Sequence, residues 1–163
     1  MMIHLICGNI CTGKTFYANR LAAAENAVIL SCDELENDVF NKDLGELYDS
    51  VSPRIKAYLL KKAAQIAANG TTVILDWGFW SAAERASTTD FFKSKGLKIK
   101  WHYMATSPEQ RQINILRRNR EVESGRSAAY YVDEGLLAKS DRLFQPPKRE
   151  EMDVWNEYKE YEE

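Results

Sequence analysis

The stretch that decides the fold lies near the N-terminus and reads Gly8-Asn9-Ile10-Cys11-Thr12-Gly13-Lys14-Thr15. It fits the pattern G-x-x-x-x-G-K-[ST], in which a glycine-rich loop turns successive backbone N–H groups toward bound phosphates. The apolar run Met2–Cys7 before it predicts a short buried strand, and the alanine-rich stretch Lys14–Ala24 after it predicts a helix. An anion in the loop would therefore lie at the positive N-terminus of that helix.

The pattern also assigns roles to individual side chains of this phosphate loop (residues 8–15). Lys14 is expected to reach the β- and γ-phosphates of a nucleotide, and the Thr15 hydroxyl is expected to ligate Mg²⁺. The predicted nucleotide-binding residues of the loop are Gly8, Asn9, Ile10, Cys11, Thr12, Gly13, Lys14 and Thr15.

The bulk properties are those of an ordinary globular domain. A length of 163 residues predicts a single domain over 1–163, and 45% hydrophobic residues are enough to build its core. The net charge of −2 gives the molecule as a whole no attraction to nucleic acid or acidic membrane. The apolar runs are too short to cross a bilayer, and the three cysteines have no metal-type spacing. We therefore expect a cytoplasmic protein with reduced thiols.

Strand and helix patterns alternate along the chain, which is typical of an α/β fold with parallel strands joined by crossover helices. The Ser52-Pro53 and Ser107-Pro108 pairs predict helix starts, and Ser81 with Glu84 forms a capping box. A further helix is predicted over Asp133–Phe144. The remaining predicted strands are Ala27–Ser31, Thr71–Leu75, Leu97–Met104 and Asp153–Trp155.

Two aspartates follow predicted strands, and ligands of open parallel sheets bind beyond such strand ends. Asp33 is a candidate to hold or deprotonate an acceptor hydroxyl, and the alternative is a helix N-cap. Asp76 is a candidate for a magnesium-bound water or for the substrate. Trp77 follows Asp76 where many ATPases place a glutamate that activates water, which favours a bound hydroxyl as acceptor. Trp77, Phe79 and Trp80 line an acceptor pocket or pack in the core.

Arginines concentrate on the helix predicted after Pro108. We expect a mobile lid at about 111–130 that brings arginines over the transferred phosphoryl group, with a solvated helix surface as the alternative. A nucleic-acid patch is less favoured because no aromatic residues are interleaved with the arginines. Arg117 and Arg120 are the predicted catalytic arginines, and Arg111 and Arg118 the predicted nucleotide-binding ones.

The phosphate loop, the S-x-D sequence at Ser31–Asp33, Asp76 and the arginine-rich helix resemble the small phosphate-loop kinases of the AAA type. More narrowly, the chain resembles the predicted ATP-binding kinases grouped with zeta toxin, chloramphenicol phosphotransferase and polynucleotide kinase. The resemblance implies a three-layer fold with a five-stranded parallel sheet and helices on both faces. It also implies ATP and Mg²⁺ as cofactors, Asp33 as the acceptor-binding residue, and Arg117 or Arg120 as the lid arginine.

Three functions follow as hypotheses. The leading one is an ATP-dependent phosphotransferase acting on a hydroxyl of a small molecule. The second is a nucleotide-binding switch without an acceptor, which the missing glutamate after Asp76 disfavours. The third is a polynucleotide 5′-hydroxyl kinase. Members of the group often carry an arginine after the S-x-D aspartate, whereas residues 34–38 here are acidic, and this disfavours an anionic acceptor.

Overall fold

The fold is an open, twisted α/β sheet with helices on both faces, as a computed structural model shows for residues 1–40, 44–127 and 129–157. The strands are β1 (Ile3–Cys7), β2 (Val28–Ser31), β3 (Val73–Asp76), β4 (Ile99–Ala105) and β5 (Val154–Glu157). The helices are α1 (Lys14–Glu25), α2 (Cys32–Phe40), α3 (Tyr48–Ala68), α4 (Ala82–Lys93), α5 (Pro108–Glu123) and α6 (Glu134–Leu143). Short 3₁₀ turns lie at Gly45–Leu47 and Arg149–Glu151.

All strand pairs of the sheet are parallel, and the strand order is β2-β3-β1-β4-β5. This confirms the five-stranded parallel sheet expected from the sequence. Ile3 pairs with both Val73 and Ile99, and Val73 pairs with Val28. Because β1, β2, β3 and β4 start in the same register, β2, β3 and β4 begin one or two residues later than the apolar runs that predicted them.

The core is divided between the two faces of the sheet by the alternation of side chains along β1. Ile3, Leu5 and Cys7 pack on the face that α3 and α4 cover, and Ile6 packs on the opposite face against Ala18 of α1. These side chains are at most 1% exposed, so both faces are closed to water. Parallel sheets require such cover on both sides.

Helix boundaries were predicted well where a capping side chain marks them. The Ser81 hydroxyl accepts from Glu84 N at 3.0 Å, and the Ser107 hydroxyl accepts from Gln110 N at 3.2 Å. The predicted start of α3 at Ser52 was wrong. The Gly45–Leu47 turn runs directly into a helix that begins at Tyr48, so Pro53 lies inside it.

Three strands deliver their carboxyl ends to the same edge of the sheet, and this edge carries the candidate site. Asp76 ends β3 and lies beside Ser31 of β2 and Ile6 of β1. The phosphate loop therefore starts next to Asp76, and α2 with Asp33 starts on its other side. Among the described residues, no helix has the length and apolar character that a membrane span needs.

Candidate functional site

The phosphate loop connects β1 to α1 as the sequence predicts, and its backbone is shaped for an anion. Gly13 precedes α1 with φ of 85°, a left-handed conformation that favours glycine, and Cys11 also has a positive φ of 58°. No side chain caps the N-terminus of α1, and no acidic residue lies in its first turn. The first N–H groups of a helix lack intrahelical acceptors, so this helix end is suited to a bound phosphate.

A close approach between two glycines fixes where the loop begins. Gly8 N donates to Gly78 O at 3.1 Å, which ties the loop to the segment after β3. A Cβ atom on Gly78 would overlap the Trp80 ring and would lie 3.0 Å from Gly8 O. Glycine at position 78 therefore lets the Trp77–Trp80 segment lie against the phosphate loop.

Helices α5 and α6 hold the first half of the loop. Asn9 Nδ2 donates to Asp141 at 3.0 Å, and Arg111 Nη1 donates to the same carboxylate oxygen at 2.6 Å. Arg111 Nε also donates to Ile10 O at 3.0 Å. Arg111 thus contacts the backbone of the loop from outside, and it does not line the cavity described below.

The second half of the loop is held by polar side chains that the sequence analysis did not single out. Asn114 Nδ2 donates to Cys11 O at 2.9 Å, and the Thr106 hydroxyl donates to Thr12 O at 3.2 Å. Asn114 is buried, and this is unusual for an asparagine on a polar helix. Helix α5 is therefore bonded directly to the loop, and the mobility expected for residues 111–130 stays a prediction; residue 128 lies outside the described residues.

Lys14, Thr15 and Asp76 meet at the inner end of the loop. Lys14 Nζ donates to Asn9 O at 2.6 Å, and the Thr15 hydroxyl is hydrogen-bonded to the Asp76 carboxylate. Burial lowers the pKa of Lys14, and the carboxylates of Asp76 and Asp33 act in the opposite direction. Burial raises the pKa of Asp76, and Lys14 and Thr15 oppose that rise.

This arrangement fits a magnesium ion of the kind that phosphate-loop proteins use. Mg²⁺ prefers oxygen ligands and is commonly held by one or two protein side chains together with water and phosphate. Thr15 and Asp76 would supply those two oxygens. Within the described residues, no group of three or more His, Cys, Asp or Glu side chains forms an alternative metal site.

One large cavity, with a volume of about 1230 Å³, joins the loop to the predicted acceptor residue. Ile10–Phe16 of the loop region and Asp76 lie along it, and Asp33 lines it from the first turn of α2. Asp33 is exposed within that turn, and Ser31 supplies the hydroxyl that accepts from Glu34 N at 3.3 Å. The N-cap role considered for Asp33 is therefore wrong, since Ser31 occupies that place.

The aromatic residues after Asp76 line the cavity, and two of them, Trp77 and Phe79, also belong to the core. Trp77, Phe79 and Trp80 all line the cavity. Trp77 also stacks on Phe79 at 4.8 Å, and Phe79 meets the Trp101 ring edge-on at 4.9 Å. These side chains are thus the outer layer of the core and a wall of the cavity.

The predicted arginines fall into distinct positions on α5. Arg117 and Arg118 line the cavity, and Arg111 and Arg120 do not. Arg118 Nε donates to Tyr130 O at 2.8 Å, and its Nη1 lies 3.7 Å from Cys11 Sγ. Arg117 and Arg120 are both exposed, so exposure alone does not separate the two candidates for catalysis.

Two other residues of the site were missed by sequence reasoning. Arg85 is 3% exposed; it pairs with Glu151 at 2.8 Å and donates to Phe79 O at 3.1 Å, and so supports the aromatic wall. Glu36 of α2 is 2% exposed and lines the cavity. The only signal for Glu36 was its spacing of three residues from Asp33, which places both on one side of a helix.

Comparison with known proteins shows the family and the fold of this chain. The family model described as AAA domain matches residues 3–147. A solved structure from Chloroflexus aurantiacus, provisionally described as a kinase, is 17% identical with a TM-score of 0.72, over 96% of this chain and 86% of that one. No curated protein matches the chain in sequence.

Two further solved structures have the same fold. The Mycobacterium tuberculosis APS kinase CysC, in complex with AMPPNP and APS, is 19% identical with a TM-score of 0.60, over 96% of this chain and 87% of that one. A gluconokinase from Sinorhizobium meliloti is 12% identical with a TM-score of 0.61, over 94% and 81% of the two chains.

Proposed function

Because the chain belongs to the AAA domain family, we propose that it is an ATP-dependent phosphotransferase that transfers the γ-phosphoryl group of Mg·ATP to a hydroxyl of a small molecule. The observation that carries this proposal is the shared cavity. The phosphate loop with Lys14, Asp76 and Asp33 all line the same space. A phosphoryl donor and an acceptor hydroxyl can therefore be bound at the same time.

Bound Mg·ATP supplies the phosphoryl group and the metal charge that neutralises its oxygens. Lys14 binds the β- and γ-phosphates, Thr15 and Asp76 hold the metal, and Arg117 stabilises charge on the transferred group. Asp33 orients the acceptor hydroxyl and takes up its proton. The acceptor oxygen bonds to the γ-phosphorus, the bond to the β,γ-bridging oxygen breaks, and ADP leaves with that electron pair.

A small acceptor is supported by the names of two of the neighbours and by the site itself. The APS kinase and the gluconokinase are named for small molecules. The turn after Asp33 is acidic in this chain, and a polyanion would be repelled there. Trp77 follows Asp76, so the chain lacks at this position the glutamate that activates water in many ATPases, and this disfavours a switch ATPase. The cytoplasmic location stays a prediction.

The test is ADP release with Mg·ATP against neutral sugars, amino sugars, nucleosides and a 5′-hydroxyl oligonucleotide. We expect one small-molecule class to stimulate release. Asp33→Asn should lose that stimulation by about 10²-fold or more while still binding nucleotide, as expected for a group that assists proton transfer. Asp38→Asn, an exposed carboxylate outside the cavity on the same helix, is the matched control.

Three results would overturn the proposal or its details. Tight nucleotide binding with no stimulation by any acceptor would favour the switch hypothesis. Stimulation by the oligonucleotide alone would favour the polynucleotide kinase hypothesis. Equal stimulation of ADP release in wild type and Asp33→Asn would show that Asp33 does not assist the acceptor hydroxyl.

A further inference from the structure

Glu36 is a buried carboxylate with an unused hydrogen-bond acceptor. It lies one helical turn after Asp33, is 2% exposed, and lines the same cavity. Its Oε1 atom has no hydrogen-bond partner in the part of the chain that the structure describes. A buried acceptor left unsatisfied lowers stability, and it does so more if it is charged. A bound molecule that donates to this oxygen would offset that loss of stability.

The protein groups around Glu36 do not neutralise it. The Ser52 hydroxyl acts to lower the pKa of Glu36, but it is a neutral group. Lys56 is the cation that acts on Glu36, but its Nζ donates to Glu84 Oε1 at 2.7 Å. Burial raises the pKa of Glu36, and Asp33 raises it further. The empty site thus lacks a positive charge dedicated to Glu36.

The cavity lining near Glu36 includes Lys56, but that ammonium group is paired with Glu84. Glu46 of the 3₁₀ turn and Asp49 of α3 add two more carboxylates to the lining. Lys139 also lines it, and its Nζ lies 5.7 Å from the centre of the Tyr48 ring. The positive arginines that line the cavity, Arg117 and Arg118, belong to α5 on the side of the phosphate loop. A cation fits beside Glu36 better than an anion does.

A second residue of the cavity lining also carries an unpaired polar atom. Trp77 Nε1 is buried and has no acceptor among the described residues. An indole N–H only donates, so it needs an oxygen from a bound molecule. Two residues of the cavity lining therefore carry unpaired polar atoms, a donor on Trp77 and an acidic acceptor on Glu36.

We propose that Glu36 binds a protonated amine of the acceptor, so that the substrate class is a hydroxyl compound carrying a primary amine, such as an amino sugar or aminocyclitol. The amine pairs with Glu36, an oxygen of the same molecule accepts from Trp77 Nε1, and the reacting hydroxyl faces Asp33. Residues three apart on a helix have Cβ atoms about 5–6 Å apart, which is the span of a single sugar ring. This inference rests on the proposed kinase function and names its substrate class.

The test compares matched pairs of acceptors that differ only in the amine, such as glucosamine with glucose and an aminocyclitol with inositol. We expect kcat/KM for ADP release to be at least tenfold higher for the amine. Glu36→Gln should raise KM for the amine about tenfold or more and leave KM for the neutral partner unchanged, as removing one charge-assisted hydrogen bond predicts. Glu34→Gln, on an exposed residue of the same helix outside the cavity, should change neither value.

The outcomes separate this inference from the proposed function. If neutral sugars are phosphorylated as well as amino sugars, and Glu36→Gln does not distinguish them, the amine inference is wrong and the kinase function stands. If none of these compounds stimulates ADP release but a nucleoside does, the amine inference is wrong and the kinase function stands. If no acceptor of any class stimulates release while nucleotide still binds, both fail together. An unchanged nucleotide-induced rise in Tm in Glu36→Gln would show that the variant is folded.

Discussion

Lys14 Nζ donates a 2.6 Å hydrogen bond to the carbonyl oxygen of Asn9, near the start of its own loop. The ammonium group is thereby held across the concave side of the loop, where the phosphates of a nucleotide are expected. Burial lowers the pKa of Lys14, and Asp76 and Asp33 oppose this shift. A phosphate oxygen would offer Lys14 a charged acceptor in this partly desolvated place. The interaction between Lys14 and a nucleotide should therefore be strong.

Lys14→Met should abolish most of the stabilisation that Mg·ATP gives the protein. A ligand at 100 times its Kd adds about 2.7 kcal/mol to the stability of the folded state. In a domain of this size, that corresponds to a rise in Tm of roughly 5–10 °C. We expect this rise in wild type and in Lys93→Met, an exposed lysine of α4, and little rise in Lys14→Met. Thermal denaturation with and without Mg·ATP measures it, and equal shifts in all three proteins would contradict the assignment.

Arg117 and Arg120 lie one turn apart on α5, and only Arg117 lines the cavity. Arginines that stabilise phosphoryl-transfer transition states contribute on the order of 10³-fold or more in rate. Arg117→Ala should therefore lower kcat by about that factor with little change in the nucleotide Kd. Arg120→Ala is the matched control and should keep the wild-type kcat. Steady-state kinetics with saturating acceptor measures kcat for both variants. A larger loss of kcat in Arg120→Ala than in Arg117→Ala would assign the catalytic role to Arg120.

The positions of the phosphate loop and of Asp76 could be predicted from the sequence, because the phosphate-loop pattern implies a strand before it and a helix after it. The strand, loop and helix around Gly8–Thr15 follow from one pattern, and Asp76 follows from the apolar strand before it. Asp33 lines the cavity, although the strand runs straight into a helix there, and its role toward an acceptor stays a prediction. The N-cap alternative failed because Ser31 was available to cap that helix.

Glu36 and the start of α3 could not be predicted in the same way. A glutamate on a short acidic helix is normally solvated, and its burial here results from packing between α2 and α3. The Ser52-Pro53 pair suggested a helix start, but the preceding 3₁₀ turn extended the helix by four residues. Both features depend on tertiary contacts between segments, which no local pattern records.

Asp76→Asn should stabilise the ligand-free protein and weaken its response to magnesium. Because burial raises the pKa of Asp76, folding disfavours its ionised form. This group therefore lowers stability as the pH rises above the ordinary carboxyl range, and at neutral pH that cost is present. Asparagine cannot ionise and removes it, and each kcal/mol gained raises Tm by roughly 2–4 °C.

Two measurements check the Asp76 prediction. Thermal denaturation without ligand at neutral pH should give a higher Tm for Asp76→Asn than for wild type. Titration with Mg²⁺ in the presence of ATP should raise Tm in wild type and in Asp90→Asn, an exposed aspartate of α4, and much less in Asp76→Asn. An unchanged magnesium response would show that Asp76 is not a metal-side ligand.

A buried pair of histidines should make the stability of the folded protein fall at mildly acidic pH. His4 Nδ1 lies 2.8 Å from His102 Nε2, and the Tyr17 hydroxyl lies 2.8 Å from His102 Nδ1. Sequence reasoning placed both histidines in strands and could not pair them, because β1 and β4 become neighbours only in the sheet. Burial, together with the charges of His4 and Lys100, lowers the pKa of His102 to about 3.

The sign of the pH effect follows from that shift. Between the ordinary histidine pKa of about 6.5 and the lowered value of about 3, the unfolded chain binds a proton at His102 that the folded chain does not. Stability should therefore fall with decreasing pH across this window, by up to about 1.4 kcal/mol per pH unit from this group. His102→Gln removes the titration, so its stability should fall less steeply, whatever its absolute value. Urea unfolding between pH 7 and pH 4 measures both slopes, and parallel curves for the two proteins would show that His102 is protonated in the folded state.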